Sequence, residues 1–479
     1  MKKTATLFLA ITLLVSCKNE PKKTTSKKEA TTEKTLPPVS DSLMETAVIY
    51  EANIRQYSPE GTLDEFTADI PQLKELGVKI IWLMPVYPIS KTNRKATPEL
   101  SVEDIDDPNK FEKYLGSYYA ISDYTAVNPN FGTKEDFREL METAHENGMY
   151  VILDWVANHT GWDHHWITEH PEFYTKNKAG EITDPIDPRT GESWGWTDVA
   201  DLNYENKELW KAMTEEMKYW VTEFDVDGFR CDVAAEIPTE FWEFAVPKLE
   251  AEKPLFMLAE SQDADLFVEA FDMGYNWGGH HLLNEIAQGK ANVSAWDAYM
   301  QKMDTLYQKD DFLMNFVTNH DENSWNGTIE ERMGEASETM LALTYTMPGM
   351  PLIYSGQEYD LDHRLKFFVK DTITREKGKT WPILAKLGEL KNENVALHGG
   401  KNAAKYERLK TSKDEKILAF KRSKNGKELI YIANMTGEPV KFTVETEGEF
   451  SNYMQNGTVT LNPEKELNFD AWEYWILVE

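Results

Sequence analysis

The sequence predicts an α/β protein built on an eight-stranded barrel, with a short domain inserted after the third strand and an antiparallel β domain at the C-terminus. Three observations lead to this fold class. An amphipathic helix, a glycine and an apolar strand recur in that order, eight candidate strands can be counted, and the residues after about 398 change to short alternating runs. Such helix–strand repeats favour a parallel sheet, and eight of them favour a (β/α)8, or TIM, barrel.

Two of the repeats are especially clear. In DIPQLKELGVKIIWLMPVY, apolar residues at helical spacing precede Gly77, and residues 79–84 form an apolar run. In FRELMETAHENGMYVILDWVANH, Gly148 separates helix from strand in the same way. A doubly wound sheet is the alternative, but no glycine-rich phosphate-binding turn follows the first strand. The eight candidate strands lie near residues 47–54, 79–84, 149–154, 227–232, 255–260, 271–275, 312–319 and 351–355.

Two regions interrupt the repeat and set the predicted domain boundaries. Residues 155–205 contain five tryptophans and little periodicity, so we expect an inserted domain at the C-terminal face of the barrel. From about residue 398, short alternating runs separated by turns predict an all-β domain. The predicted segments are a signal peptide (1–16), a flexible tether (17–45), the barrel (46–154 and 206–397), the inserted domain (155–205) and a C-terminal β-sandwich (398–479).

The N-terminal stretch MKKTATLFLAITLLVSC predicts export and lipidation. Two lysines precede an apolar segment that is too short to span a bilayer. The following LVSC resembles a lipoprotein box, which implies cleavage before Cys17 and lipidation of its sulfur; a secretory signal with a chance cysteine is the alternative. Residues 18–43 are rich in Lys, Thr, Glu and Pro and predict a flexible tether. We therefore expect a lipid-anchored envelope protein of a Gram-negative bacterium, on the periplasmic face or the cell surface.

The charge of the chain restricts its partners. The sequence has 51 basic and 82 acidic residues, which gives a formal net charge of -31. This excess of acid argues against nucleic acid, because phosphates require a basic surface. The 15 Trp and 21 Tyr residues suit sugar rings, although a large core also uses aromatic residues. With two cysteines, no disulfide framework is expected.

Charged side chains collect where the predicted strands end. The third strand ends in DWVANH, the fourth in GFRCD, the fifth in MLAES and the seventh in VTNHD. Because catalytic residues of such barrels lie at the C-terminal face, carboxylates from four strands should meet at one mouth. Arg230 and Asp232, two residues apart on one strand, should point to the same face. Burying these groups is costly unless they are paired or functional, and a purely structural ion-pair cluster is the alternative.

The stretches DWVANH, GFRCDVA, AES and TNHD, in this order, resemble the short conserved blocks of the α-amylase family of glycoside hydrolases, glycoside hydrolase family 13. The looser stretches GSYYAISDYTAVNPNFGT, DLNYEN and PLIYSGQE, and the ending WEYWIL, also resemble that family, so the likeness covers about residues 46–479. The resemblance implies cleavage of glycosidic bonds through an oxocarbenium-like transition state.

The resemblance implies three catalytic carboxylates. Asp232 matches the nucleophile, and Arg230 would keep it ionised by direct charge pairing. Glu260 matches the general acid and base, whose pKa should be raised by apolar and like-charged surroundings. Asp321 matches the third carboxylate, which would hold sugar hydroxyls and stabilise positive charge on the distorted ring.

Further positions match substrate-binding residues of the family. His159 and His320 resemble the histidines that hydrogen-bond the cleaved sugar. Tyr119 resembles the aromatic platform beneath that sugar, with a plain core tyrosine as the alternative. We expect Asp154 to organise the site rather than to react.

Metal binding is implied only by the resemblance. The histidines of GWDHHWITEH (161–170) fit no standard zinc motif. The family instead implies a calcium ion held by oxygen ligands, and Asn158 and Asp201 match two of its positions. A Lys–His pair common in calcium-binding amylases is replaced here by Ala235 and Glu236, a departure from that pattern. No organic cofactor is expected.

These observations predict a retaining α-1,4-glucan hydrolase that acts on starch or maltodextrins. DVAAE is closer to the DVANE type of neopullulanases and cyclodextrin-degrading enzymes, but VADLN (199–203) differs from the block that those enzymes show. Neopullulanase, cyclomaltodextrinase or 4-α-glucanotransferase activity on the same fold is therefore an alternative. A non-catalytic glucan-binding surface lipoprotein is the alternative from a different class, and endo or exo action stays open.

Overall fold

A computed structural model of the protein describes residues 36–187 and 189–479. The predicted signal peptide, Cys17 and the predicted tether up to residue 35 lie outside the described residues. Within the described part of the chain, no helix is both long enough and apolar enough to cross a membrane.

Eight parallel strands close into a barrel, which confirms the predicted fold class. Each strand pairs with the next one along the chain, and the eighth strand pairs with the first. The strands are β1 (Val48–Ala52), β2 (Val78–Leu83), β3 (Tyr150–Trp155), β4 (Gly228–Cys231), β5 (Phe256–Ala259), β6 (Met273–Tyr275), β7 (Phe312–Asn315) and β8 (Met350–Tyr354).

Helices lie between the strands and bury one face against the barrel. The helix Lys134–Glu146 shows why they form where they do: a capping box between Thr133 and Asp136 starts it, and its apolar residues recur at helical spacing. Gly148 then adopts a positive φ of 78° and lets the chain turn into β3. The α-helices are Asp41–Thr46, Ile54–Tyr57, Leu63–Thr67, Ile70–Leu73, Lys134–Glu146, Trp166–Glu169, Lys207–Phe224, Thr239–Glu250, Trp277–Ala287, Val293–Leu306, Ile329–Met333, Ser337–Thr346 and Thr380–Glu393.

The described chain begins beneath the barrel, at the N-terminal ends of the strands. Leu36, Val39 and Met44 pack into the same apolar cluster as the inward-facing residues of the strands. The hydroxyl of Tyr150, the first residue of β3, donates to the carbonyl of Pro37 at 2.8 Å. The prediction of a flexible tether over residues 17–45 is therefore wrong for its last part. The helix Asp41–Thr46 forms there, because its apolar side chains pack against the N-terminal end of the barrel.

Two further parts complete the described fold. Between β3 and the helix Lys207–Phe224 the chain leaves the barrel, and two short strands, His159–Gly161 and Val199–Asp201, pair there. At the C-terminus, antiparallel sheets of six and two strands form, as expected for a β domain. The strands of the larger sheet are, in spatial order, Lys405–Arg408, Ile417–Lys424, Lys427–Asn434, Tyr474–Val478, Gly448–Asn452 and Thr458–Leu461, and those of the smaller are Val440–Phe442 and Leu467–Phe469.

Candidate active site

The predicted site residues meet at the carboxyl ends of the barrel strands, around one buried arginine. Arg230 is fully buried, and its Nη1 donates to Asp154 at 2.7 Å and to Asp232 at 3.0 Å. Its Nη2 lies 2.8 Å from Glu260 in an ion pair that lacks hydrogen-bond alignment. Its Nε donates to the hydroxyl of Tyr275 at 3.1 Å. One guanidinium thus contacts three carboxylates from three different strands.

The backbone of the fourth strand is shaped for this arrangement. Gly228 has a φ of 155°, and a Cβ atom there would lie 1.9 Å from the carbonyl oxygen of Phe256 on β5, so only glycine permits this approach. Just after β4, Val233 adopts a left-handed conformation with φ of 38°, which is strained for a β-branched residue. This conformation directs the Val233 N–H to the Glu260 carboxylate at 2.8 Å.

The carboxyls around Arg230 share a strongly perturbed environment. Burial raises the pKa of Asp232 and of Glu260, the Arg230 guanidinium opposes the rise in both, and neighbouring carboxylates add to it. Burial also raises the pKa of Asp154, again against Arg230. Because each ionised member disfavours ionisation of the others, the cluster loses its protons stepwise rather than together. The site can therefore hold an ionised carboxylate beside a protonated one, which acid–base chemistry requires.

A second charged group, His320, lines the same cavity. Its Nδ1 is 2.5 Å from Glu51 Oε1, and its Nε2 is 2.7 Å from the hydroxyl of Tyr119 and 3.5 Å from Asp321. Burial lowers the pKa of His320, but the carboxylates of Asp321 and Glu51 outweigh it and raise that pKa to about 9. His320 is therefore an imidazolium at neutral pH. Tyr119 also donates to Asp154 at 3.2 Å.

The remaining predicted sugar-binding residue, His159, is neutral. Burial lowers its pKa to about 3, with the Tyr119 backbone acting in the opposite direction. Together with Tyr119, Asp232, Glu260, His320 and Asp321 it lines one cavity of about 420 Å³. The structure thus brings the predicted catalytic carboxylates and these sugar-binding residues to one cavity, with Arg230 and Asp154 buried beneath it.

Sequence reasoning missed several residues that build this site. Glu51 of β1 pairs with His320, and Trp82 of β2 donates its indole N–H to Asp154 at 3.2 Å. Tyr275 holds Arg230 from β6. The signal for Glu51 was present, since a single carboxylate in the apolar run AVIYEA has no structural reason to be there. Trp196 from the inserted segment lines the cavity beside His159, with ring centroids 5.7 Å apart.

Calcium binding, which the resemblance implied through Asn158 and Asp201, stays a prediction. Calcium takes six to eight oxygen ligands, which include amide and backbone carbonyl oxygens. The side-chain nitrogen of Asn158 lies 3.2 Å from His159 Nδ1. Burial raises the pKa of Asp201 to about 6, so its carboxylate is largely ionised at neutral pH. Among residues 36–187 and 189–479, no group of three or more His, Cys, Asp and Glu side chains could hold a metal ion.

Exchange of Glu51 for glutamine should lower the pKa of His320, because it removes one of the two carboxylates that stabilise the imidazolium. The charged form is present at neutral pH and is lost as the pH rises through about 9. In Glu51→Gln we expect the pKa of the His320 imidazole, followed by NMR titration, to fall by about one pH unit or more. Glu45→Gln is the matched control, since Glu45 accepts from His398 at 2.9 Å on the far side of the barrel. An unchanged His320 pKa in Glu51→Gln would contradict the pairing.

The closed barrel with a buried acid–base cluster at its carboxyl ends defines an enzyme class, that of the barrel glycoside hydrolases. A family model described as the alpha amylase catalytic domain matches residues 24–263, half of the chain. The chain belongs to the alpha-amylase family, and it is an enzyme of the glycoside hydrolase class that acts on α-glucans.

Similarity to individual members is moderate. A cyclomaltodextrinase of Thermoanaerobacter pseudethanolicus is 25% identical over 83% of this chain and 69% of its own length. The chain spans between 53% and 69% of the length of the first three curated relatives that it matches. Among solved structures, an alpha-amylase from Lactobacillus plantarum is 29% identical with a TM-score of 0.78, over 92% of this chain and 100% of its own. A noncanonic maltogenic alpha-amylase, AmyB, from Thermotoga neapolitana is 27% identical with a TM-score of 0.79, over 91% of this chain and 98% of its own.

Proposed function

We propose that the protein is a retaining hydrolase of α-1,4-glucosidic bonds in starch or maltodextrins. The main support for this proposal is that the Arg230 guanidinium contacts both Asp232 and Glu260 and so keeps the two carboxyls close together. Retaining enzymes need this proximity, because one carboxylate attacks the sugar directly while the other protonates the leaving oxygen.

The geometry around Arg230 supports a division of roles between the two carboxyls. Asp232 accepts an aligned hydrogen bond from the guanidinium, which favours its ionised, nucleophilic form. Glu260 lacks an aligned bond to Arg230 and accepts instead from the Val233 N–H through one oxygen, Oε2. Its other oxygen can carry the proton that passes to the leaving group. Asp321 and the His320 imidazolium line the same cavity, where they can hold sugar hydroxyls.

The reaction follows from these positions. Glu260 gives its proton to the glycosidic oxygen as Asp232 forms a bond to the anomeric carbon, and the leaving sugar departs. Glu260, now ionised, then takes a proton from water, which attacks the anomeric carbon and releases Asp232. No metal ion is needed for either step.

The test follows both products and stereochemistry. Purified protein that begins after Cys17 is incubated with amylose, maltoheptaose, β-cyclodextrin and pullulan, and the sugars are separated by chromatography. Maltooligosaccharides whose new reducing ends are first released as the α-anomer, read by proton NMR, support the proposal. Initial release of the β-anomer would overturn the retaining mechanism. The absence of product from all four substrates would overturn the hydrolase assignment and favour the glucan-binding alternative.

A second candidate function is favoured by the names of relatives. A cyclomaltodextrinase, a maltogenic alpha-amylase from Bacillus acidopullulyticus and a 4-alpha-glucanotransferase from Thermotoga neapolitana are among them, each 25% to 28% identical to this chain. Preferential opening of β-cyclodextrin, or panose from pullulan, would move the assignment to cyclomaltodextrinase or neopullulanase. Products longer than the supplied maltoheptaose would identify glycosyl transfer, because acceptor sugars compete with water for the same intermediate.

We also propose that the protein is a bacterial envelope lipoprotein of a Gram-negative cell, attached through Cys17. The LVSC sequence and the basic, apolar leader support this proposal. Exchange of Cys17 for serine should move the protein from the membrane fraction to the soluble fraction of the expressing cell, because no acyl chain is then attached. Cys231→Ser is the matched control, since Cys231 is buried in β4. Membrane fractionation with immunoblotting reads the result, and retention of Cys17→Ser in the membrane would contradict the anchor.

A further inference from the structure

A row of aromatic rings runs outward from the catalytic cavity. The ring of His320 stacks on Tyr119, with centroids 5.6 Å apart and an interplanar angle of 26°. Tyr119 is in turn parallel to Phe367, at 6.3 Å and 8°. Phe367 packs against Trp325 at 4.9 Å and 42°. The row thus extends from a predicted sugar-binding histidine to the protein surface, where Trp325 is 41% exposed.

The outer end of this row joins the catalytic cavity to a second one. A cavity of about 590 Å³ lies beside the first, and both are lined by Pro98, Trp325, Phe367 and Phe368. Of the large apolar side chains that the described residues expose, Trp325 alone lines the catalytic cavity. Trp325 therefore presents an exposed aromatic face at the mouth of the cleft, where a bound ligand can stack on it.

Buried polar side chains fix the backbone that carries Phe367. Arg55 donates to the carbonyl of Phe367 at 2.9 Å and to that of Gly116 at 3.0 Å, while its guanidinium lies over the Tyr118 ring. Gln56 Nε2 donates to the carbonyls on either side of the pair of phenylalanines, at 2.7 and 2.9 Å. Because Arg55 and Gln56 are both buried, this loop is pre-organised rather than adaptable.

The backbone that carries Trp325 is held in a similar way. Trp325 lies in a single turn of π-helix, Glu322–Asn326, a conformation that is frequent at functional sites. Glu322 is 3.1 Å from His280 and accepts from Asn326 at 2.9 Å. The side-chain oxygen of Asn323 accepts from the backbone of Leu365 at 2.8 Å, which ties this turn to the Phe367 loop. The two supports therefore fix the positions of the Trp325 and Phe367 rings.

We propose that Trp325, backed by Phe367, is the stacking platform of a glucan subsite outside the catalytic pocket, and that the second cavity holds further glucose units of the same chain. This inference rests on the proposed function and names its substrate class as oligosaccharides long enough to fill both cavities. The apolar face of a glucose ring stacks on an indole, and the shared walls make the two cavities one continuous path.

The test compares a short and a long substrate. Exchange of Trp325 for alanine should lower kcat/KM for maltoheptaose by about tenfold, while kcat/KM for maltotriose changes by less than about twofold. Trp325→Phe should keep most of the activity on maltoheptaose, because a ring face remains. Leu306→Ala, which removes an exposed apolar side chain away from both cavities, should change neither value. An equal loss on both substrates, or no loss on either, would overturn the subsite.

A binding measurement separates this inference from the proposed function. Maltoheptaose is titrated calorimetrically into Glu260→Gln and into the double variant Glu260→Gln/Trp325→Ala. Binding about tenfold weaker in the double variant supports the subsite even if the wild-type protein cleaves no glucan, in which case only the proposed hydrolysis fails. Equal affinities would overturn the subsite, whatever the activity of the wild-type protein.

Discussion

Asp232→Asn is expected to reduce kcat on maltoheptaose on the order of 10⁴-fold or more. The exchange keeps the volume of the side chain and removes the negative charge that forms the bond to the anomeric carbon. Arg230 keeps its 2.7 Å hydrogen bond to Asp154 and its contact with Glu260, so the guanidinium is not left uncompensated. The thermal midpoint should therefore move little while turnover is lost.

The control for this prediction is another aspartate. Asp272 accepts from the Met257 N–H at 2.8 Å near the start of β5, and burial raises its pKa to about 7. Asp272→Asn makes the same chemical change at a half-buried aspartate outside the active site and should leave kcat close to the wild-type value. A turnover above about 1% of wild type in Asp232→Asn would contradict the assignment of the nucleophile.

Glu260→Gln is expected to lower kcat on maltoheptaose by about 10²- to 10⁴-fold, because glutamine has no proton to give to the leaving oxygen. The loss should depend on the leaving group. Fluoride leaves a maltosyl fluoride without being protonated, so the variant should form the covalent intermediate from this substrate readily. The intermediate should then accumulate, because the base for the second step is also missing. Intact-protein mass spectrometry would detect the added maltosyl mass.

A merely structural role for Glu260 would give a different pattern. The losses on maltoheptaose and on the fluoride would then be alike, and no intermediate would accumulate. Glu45→Gln again provides the matched control, because it changes a buried glutamate near the C-terminal β domain and should leave both rates unchanged.

The barrel could be predicted from sequence because its signals are local. A helix with a hydrophobic stripe, a glycine and an apolar strand each depend on a few neighbouring residues, and the eight predicted strands lie at the observed positions. The strand-end motifs likewise placed Asp232, Glu260 and Asp321 at one mouth, since the ends of parallel strands must meet there.

The parts that sequence reasoning missed depend on contacts between distant segments. Phe367 meets Tyr119 and Trp325 only after loops that follow three different strands have folded over the mouth. No local pattern reports this, because loops obey no periodicity. The helix Asp41–Thr46 could not be predicted for another reason. It is short and has too few apolar residues to show a helical pattern, and those residues pack against the barrel strands rather than against each other.

The floor of the barrel has a practical consequence for handling the enzyme. Because the described chain enters at Pro37 beneath the strands, under the hydroxyl of Tyr150, anything fused ahead of it is joined at the end opposite the mouth. A resin or bead coupled through an N-terminal tag would leave the cleft open to dissolved polymer. Coupling through surface amines would lack this advantage. Lys113 and Lys366 line the second cavity, so some molecules would be attached to the resin beside the cleft, which would then be blocked.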